Sequence, residues 1–166
     1  LYVGRVSREK NLDLLAAALR RLSTAGIPIR PLIVGDGPYL GMMKELLPEG
    51  IYTGSLHGEE LATAFASADF FAFPSTTDTF GNVVIEAQAS GLPVIVSDVG
   101  GPKDLVEEGV DGRITKGLDL DELTSVLKLL AGDAGLRDRM GRAARSRVEG
   151  RDWSRAARLF WEGSPE

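Results

Sequence analysis

The chain has 166 residues, a formal net charge of -5 and no cysteine. Its length matches one ordinary domain with a real core, and its acidic balance excludes a global electrostatic preference for nucleic acid. The absence of cysteine excludes disulfides, thiolate zinc sites and thiol catalysis, and it fits a reducing compartment such as the cytoplasm.

The apolar runs of the chain, such as residues 68–74, are far shorter than the roughly 20 residues that a membrane-spanning helix needs, and no signal peptide precedes them. We therefore expect a soluble, cytoplasmic domain without an integral membrane segment, and peripheral contact with a membrane stays open. The chain begins inside a predicted strand and without an initiator Met, which indicates a fragment of a longer protein.

Short apolar runs, glycine-marked loops and helices of 3.6-residue periodicity alternate along the chain, which predicts a parallel α/β fold. The predicted strands cover residues 1–4, 30–35, 51–53, 69–73, 94–97 and 113–115. The predicted helices cover residues 9–22, a segment after Pro38, 59–66, a segment after Phe80, 102–106, 121–130, 135–148 and 152–161. We assign residues 1–166 to one Rossmann-like, doubly wound parallel sheet of about six strands flanked by helices.

The loop after the first predicted strand carries three cations, Arg5, Arg8 and Lys10, at the start of a helix. Each cation is disfavoured there by about 0.3 to 1 kcal/mol, because the helix dipole is positive at that end. A bound diphosphate would compensate for this placement. The alternative is a solvated turn that Glu9 and Asp13 neutralise, and the cluster alone does not separate the two interpretations.

The loop after the fourth predicted strand should face this first loop, because doubly wound sheets bind ligands at the carboxyl ends of strands beside the first strand. It carries Asp78, and Glu86 follows eight positions later in an otherwise apolar helix. A carboxylate accepts hydrogen bonds from two hydroxyls at once, which suits a ribose diol. Asp78 has a competing structural role, because Asp just before a helix caps free N–H groups.

Residues 35–41 match a loose glycine pattern for dinucleotides after a strand. This pattern predicts an NAD(P)-binding oxidoreductase domain as the alternative function. Three features count against it: the pattern follows the second strand, Pro38 lacks an N–H for the phosphate, and no acid stands at the end of the next strand, about 20 residues further on.

Other polar residues have simpler structural explanations. Asp119 and Asp121 resemble an acidic metal pair but stand where a helix begins, which favours capping. His57 is the single histidine and is either a general base or an exposed turn residue. The arginines of residues 137–158 form a solvated helix face, or a surface for an acidic partner. An aromatic face around Trp153 is the sole support for a non-catalytic interaction module.

Four segments, GRVSREKN, VGDGP, FPSTTDTFGNVVIEAQASGLPVIVSDVGG and DWSRAA, stand in this order along the chain. In order and spacing they resemble the C-terminal domain of retaining glycosyltransferases of family 4 (glycosyl transferases group 1), one half of a GT-B fold. The resemblance implies a domain that binds a nucleotide-diphospho-sugar, whose hexose is transferred to an acceptor hydroxyl with retention. It also implies an absent N-terminal acceptor domain, so the isolated fragment should be inactive.

The resemblance also implies roles for residues of this chain. Arg5 and Lys10 would clamp the donor diphosphate, Asp78 would lie beside the donor sugar as the first acid of the E-x7-E motif, and Glu86 would hold the ribose as the second. The remaining donor contacts would come from Leu56 near the base and from Phe80, Gly81, Asn82 and Val83 along the sugar and phosphates. No metal or cofactor is implied, because two cations do the electrostatic work of a metal.

The chain departs from the family pattern in two places. Asp78 stands where the family usually has Glu, so its reach toward the sugar is shorter by one methylene. The family's active-site histidine belongs to the absent domain, and His57 does not match it.

Overall fold

The computed structural model describes residues 1–149 and has the predicted α/β architecture. Its strands are β1 (Tyr2–Val3), β2 (Leu32–Val34), β3 (Ile51–Gly54), β4 (Phe71–Phe73), β5 (Val94–Ser97) and β6 (Gly112–Thr115). Its α-helices are α1 (Leu12–Thr24), α2 (Leu40–Leu46), α3 (Gly58–Ala66), α4 (Asn82–Ala89), α5 (Leu120–Gly132) and α6 (Ala134–Val148). The predicted helix 152–161 lies outside the described residues.

The strands form two parallel three-stranded sheets, β1-β2-β3 and β4-β5-β6, rather than the single sheet that was predicted. The two sheets adjoin, since the carbonyl of Leu1 accepts from the Ala72 N–H at 2.9 Å and the Leu1 nitrogen donates to the Phe70 carbonyl at 2.9 Å. The spatial order is therefore β3-β2-β1-β4-β5-β6, the predicted doubly wound order. The ladder between the sheets is short because β1 has only two residues.

The core lies between this pair of sheets and two groups of helices. Helix α1 packs against α2 and α5, and α4 packs against α6. Every residue of β4 and β5 is buried, as expected for strands that helices cover on both faces. Helix α1 buries Leu12, Leu15, Leu19 and Leu22 on one stripe, as its periodicity predicted, and each buried leucine contributes about 1.5 to 3 kcal/mol.

One helix start differs from the prediction and another rules out a predicted cap, and both lie at the candidate site. Residues Arg8–Lys10 form a 3-10 turn, and α1 begins only at Leu12, because Asn11 has a left-handed backbone with φ 54°. Helix α4 begins at Asn82 with Gly81 as its N-cap residue, at φ 90°. The interpretation of Asp78 as an N-cap is therefore wrong.

One further segment differs in helix type. The predicted helix 102–106 is a 3-10 helix, Gly101–Leu105, with Pro102 in its first turn. Within residues 1–149, no helix is both long enough and apolar enough to cross a membrane.

Candidate functional site

The loops after β1 and β4 meet at the carboxyl edge of the strands, as predicted. The ammonium Nζ of Lys10 lies 2.8 Å from Oδ2 of Asp78. One residue further on, Nδ2 of Asn11 donates to the Pro74 carbonyl at 3.0 Å and to Oγ1 of Thr76 at 3.1 Å. Three hydrogen bonds therefore join loops that are more than 60 residues apart in the sequence.

The Lys10–Asp78 pair is largely shielded from water. The side chains keep only 15% and 26% of their exposure. Coulomb attraction is stronger in such an environment than between exposed charges, whose pairs contribute about 0 to 1 kcal/mol. Asp78 thus fixes the direction of the Lys10 ammonium instead of capping a helix.

Arg5 and Arg8 present a different picture, because both side chains are exposed. Within residues 1–149 neither guanidinium forms an ion pair. The backbone at Arg5 is nevertheless held, since the Tyr2 hydroxyl donates to the Arg5 carbonyl at 2.9 Å. Burial raises the pKa of Tyr2, with the charge of Asp78 acting in the same direction, so the hydroxyl keeps the proton that it donates.

The two acids beside this cation cluster, Glu9 and Asp13, accept hydrogen bonds from hydroxyl groups and form no ion pair with the cations within residues 1–149. Oε1 of Glu9 accepts from the Ser7 hydroxyl at 2.6 Å, and this bond lowers the pKa of Glu9, with the charges of Arg5 and Lys10 acting in the same direction. Asp13 accepts a hydrogen bond from the Tyr39 hydroxyl. The predicted neutralisation by Glu9 and Asp13 therefore does not take the form of ion pairs.

The loop that carries Asp78 is also fixed from its other side, by the glycine pair after β5. The N–H of Gly101 donates to the Asp78 carbonyl at 2.9 Å. A Cβ on Gly101 would lie 1.8 Å from the Thr79 carbonyl oxygen, and one on Gly100 would lie 2.8 Å from that of Asp78. Sequence reasoning gave these glycines no role, although the adjacent pair was a signal of close backbone approach.

The next residues of this loop were predicted to line a donor. Phe80 is 52% exposed, Gly81 is the N-cap residue of α4, and no side chain within the described residues caps that helix. The first N–H groups of α4, beginning at Asn82 and Val83, are therefore left without a capping side chain, and such groups favour an anion. Whether a donor lies against them stays a prediction.

Glu86 lies in the second turn of α4 and is exposed, while Val84, Ala87 and Gln88 of the same helix face the core. Desolvation by its surroundings raises the pKa of Glu86. Leu56 is half-buried in the loop before α3 and packs against the core.

The glycines of the dinucleotide-like pattern serve chain packing. A Cβ on Gly35 would lie 1.9 Å from the Gly4 carbonyl oxygen, and one on Gly37 would lie 2.2 Å from that of Val6. The two segments are hydrogen-bonded, with the Val6 N–H donating to the Asp36 carbonyl at 2.9 Å. These glycines are therefore required where two stretches of backbone cross, and the backbone of the first loop covers them.

The other polar candidates have the simpler roles. Oδ1 of Asp119 accepts from the Glu122 N–H at 2.9 Å, which confirms the predicted cap. Among residues 1–149, no group of three or more metal-ligating side chains is arranged to hold an ion. His57 is exposed just before α3, and no hydrogen bond of its side chain is found in the described part of the chain.

Three arginines of α6 are engaged with acids of this chain. Arg137 pairs with Asp69 at 3.4 Å and Arg145 pairs with Glu149 at 3.8 Å. Arg147 binds both Glu107 and Asp111, and the Asp111 side chain is 1% exposed. These pairs weaken the case for an acidic partner at this helix.

A cavity of about 750 Å³ lies at the opposite edge, near the amino ends of the strands. It is lined mostly by apolar residues, among them Leu15, Leu19, Ile29, Leu32 and Phe70. Neither Lys10 nor Asp78 borders this cavity. Cavity volume alone would therefore point away from the predicted site, and the chemistry of the paired loops points toward it.

Known proteins resemble this chain over nearly its whole length. The family model described as glycosyl transferases group 1 matches residues 1–147. The chain is 37% identical over 161 residues to sulfoquinovosyl transferase SQD2 of Arabidopsis thaliana, covering 94% of this chain and 31% of that protein. It is 39% identical over 152 residues to a GDP-mannose-dependent alpha-mannosyltransferase of Corynebacterium glutamicum, covering 92% and 36%.

A solved structure shares the fold. Anabaena Alr3699/HepE, in complex with UDP-glucose, superposes with a TM-score of 0.83 at 23% identity, covering 97% of this chain and 46% of that one. The chain thus spans about a third of the length of these two curated relatives and less than half of the length of this structural neighbour.

Proposed function

Because this chain belongs to the glycosyl transferases group 1 family, we propose that it is the donor-binding half of a longer glycosyltransferase. In this proposal the enzyme is a retaining hexosyltransferase of family 4. It moves a sugar from a nucleotide-diphospho-sugar to an acceptor hydroxyl. The observation that carries the proposal is the meeting of the loops after β1 and β4, with Lys10 held 2.8 Å from Asp78.

The cations of the first loop are suited to a diphosphate. The Arg5 guanidinium is exposed and makes no ion pair within residues 1–149, so its donors remain available for phosphate oxygens. Lys10 is already oriented by Asp78. Fixed cations of this kind stabilise the charge that grows on a departing diphosphate without reorganising, which lowers the barrier to glycosidic bond cleavage. No cofactor is needed beyond the donor itself.

The remaining contacts would place the rest of the donor. Glu86 would accept hydrogen bonds from the ribose hydroxyls, and Asp78 would lie beside the sugar. The backbone of residues 80–83 would line the sugar and phosphates, with the first N–H groups of α4 directed at an anion. Leu56 would pack near the base.

The proposed protein has a second half. The chain covers 31% and 36% of two curated relatives, which leaves room for an N-terminal domain that supplies the acceptor site. This chain by itself is expected to bind a donor but not to transfer its sugar. We propose that the enzyme is cytoplasmic and can contact a membrane peripherally.

Calorimetric titration of the 166-residue chain with UDP-, GDP- and ADP-sugars tests the proposal. The relatives are named for GDP-mannose-dependent and sulfoquinovosyl transfer, and the structural neighbour is in complex with UDP-glucose, so UDP- and GDP-sugars belong in the screen, with ADP-sugars as a third base. We expect at least one donor to bind, and Lys10→Met to weaken it. The matched control is Lys128→Met, which replaces an exposed lysine on α5. Binding of NADPH alone, or of none of these ligands, would overturn the proposal.

A further inference from the structure

Given the proposed function, we infer that Asn11 is a positioning residue for the donor diphosphate. It acts on the donor through its neighbour Lys10 and the loop that carries Asp78. It was not among the residues that the sequence pointed to. Its side chain is an uncharged amide that would never itself neutralise a phosphate, so its effect must be geometric.

The backbone of Asn11 is the first observation. Among residues 1–149, Asn11 is the only residue other than glycine that has a positive φ, with φ 54° and ψ 34°. This left-handed conformation ends the 3-10 turn of Lys10 and allows α1 to start in a new direction. Asn tolerates this conformation better than most residues do. The backbone of Asn11 therefore sets how the turn that carries Lys10 joins α1.

The side chain of Asn11 is the second observation. Asn11 occupies the N-cap position of α1, where an Asn side chain normally accepts from the helix's own N–H groups. Here it makes no such bond. Its amide instead donates to Pro74 and Thr76 across the site, at 3.0 and 3.1 Å. The residue forgoes local helix capping and makes a contact between the two loops.

The way the second loop is held is the third observation. Asn11 binds positions 74 and 76, and Lys10 binds position 78. The Gly101 N–H binds the Asp78 carbonyl from the other side at 2.9 Å. Without the Asn11 amide, the bond from Lys10 to Asp78 would be the one that remains of the three hydrogen bonds between the loops after β1 and β4. A lysine stem has several rotatable bonds, so the ammonium would be less well preorganised for a phosphate.

Asn11→Gly is the direct test. Glycine keeps the left-handed backbone without strain and removes the amide, and its greater backbone freedom lowers stability in addition. Asp119→Ala is the matched control, since it removes a helix cap on α5, whose hydrogen bond is to Glu122 and to neither loop of the site, and it lowers stability in a comparable way. A merely structural role for Asn11 would lower the Tm in both variants and leave nucleotide affinity unchanged in both.

The measurement is calorimetric titration of the 166-residue chain with UDP, with GDP and with ADP, with thermal unfolding recorded alongside. For whichever diphosphate the unsubstituted chain binds, we expect Asn11→Gly to raise the Kd about tenfold. Asp119→Ala should leave the Kd unchanged. In a Lys10→Met background, the further effect of Asn11→Gly should largely vanish, because the two residues act as a unit.

The outcomes separate the inference from the proposed function. If the unsubstituted chain binds UDP, GDP or ADP and Asn11→Gly binds equally well, the inference is overturned and the proposed function stands. The same holds if the effect persists undiminished without Lys10. If the unsubstituted chain binds none of the three diphosphates, the proposed function itself is overturned. Should Asn11→Gly fail to fold, Thr76→Val takes its place, because it removes one acceptor of the Asn11 amide without adding charge, and a smaller rise in Kd is expected.

Discussion

The glycine at position 101 offers a sharp test of how the site is built. Its alanine variant would place a Cβ 1.8 Å from the Thr79 carbonyl oxygen, where ordinary contact begins at 3.4 Å. The obstructing atom is backbone, so no side-chain rotation relieves the clash. The loop of residues 74–82 must move by more than 1 Å or the 3-10 helix Gly101–Leu105 must shift.

We expect Gly101→Ala to lower the free energy of unfolding by about 2 to 3 kcal/mol, the upper range for overpacking. For a chain of this size that corresponds to a fall in Tm of roughly 4 to 12 °C. The movement would also disturb the hydrogen bond from Gly101 to the Asp78 carbonyl. Donor affinity should therefore fall together with stability.

Urea denaturation followed by circular dichroism measures this change. Gly41→Ala is the matched control, because a Cβ at that helical glycine meets nothing within 4 Å. Alanine there should leave stability unchanged or slightly raised. If Gly101→Ala were as stable as Gly41→Ala, the close approach of the two backbones would not exist, and the described geometry of the Asp78 loop would be refuted.

Three further perturbations have defined outcomes. In the proposed full-length enzyme, Lys10→Ala should lower turnover about a hundredfold or more, because the cation that we propose to face the departing diphosphate is lost. Steady-state kinetics near the unsubstituted rate would contradict this role. Arg147→Ala should lower the free energy of unfolding by about 3 kcal/mol, because it leaves the Asp111 carboxylate, 1% exposed, without its cation; urea denaturation measures it, and a change under about 1 kcal/mol would contradict this assignment. Carboxyl NMR should place the pKa of Glu86 above 4.5, since desolvation raises it. Because the fold disfavours the ionised form, the stability contributed by Glu86 should fall as pH rises from 4.5 through the raised pKa, and Glu86→Gln should remove that dependence; an identical pH profile in Glu86→Gln would contradict the shift.

The alternation of strands and helices was predictable because buried segments leave a hydrophobic period in the sequence. The leucine stripe of α1 and the apolar β4 and β5 are its clearest cases. The meeting of the loops after β1 and β4 followed from the doubly wound topology, which brings those strand ends together. The sequence therefore predicted that the loops carrying Lys10 and Asp78 lie close together.

The form of that contact was not predictable. An Asp ahead of a helix has the same sequence signature whether it caps the helix or pairs with a distant lysine. Gly81 takes the cap position in the structure, and Asp78 is left for Lys10. Likewise an Asn before a helix suggests a local cap, and nothing within the segment reveals that Asn11 binds residues 74 and 76 instead. Both cases depend on partners that are remote in the chain.

The most direct test of the proposed donor site is a crystal structure of this chain with UDP-glucose or GDP-mannose. We expect the diphosphate within hydrogen-bonding distance of Arg5 and Lys10, and the ribose hydroxyls within that distance of Glu86. A donor bound instead in the apolar cavity at the amino ends of the strands, or over Gly35 and Gly37, would contradict the assignment of this edge as the donor site.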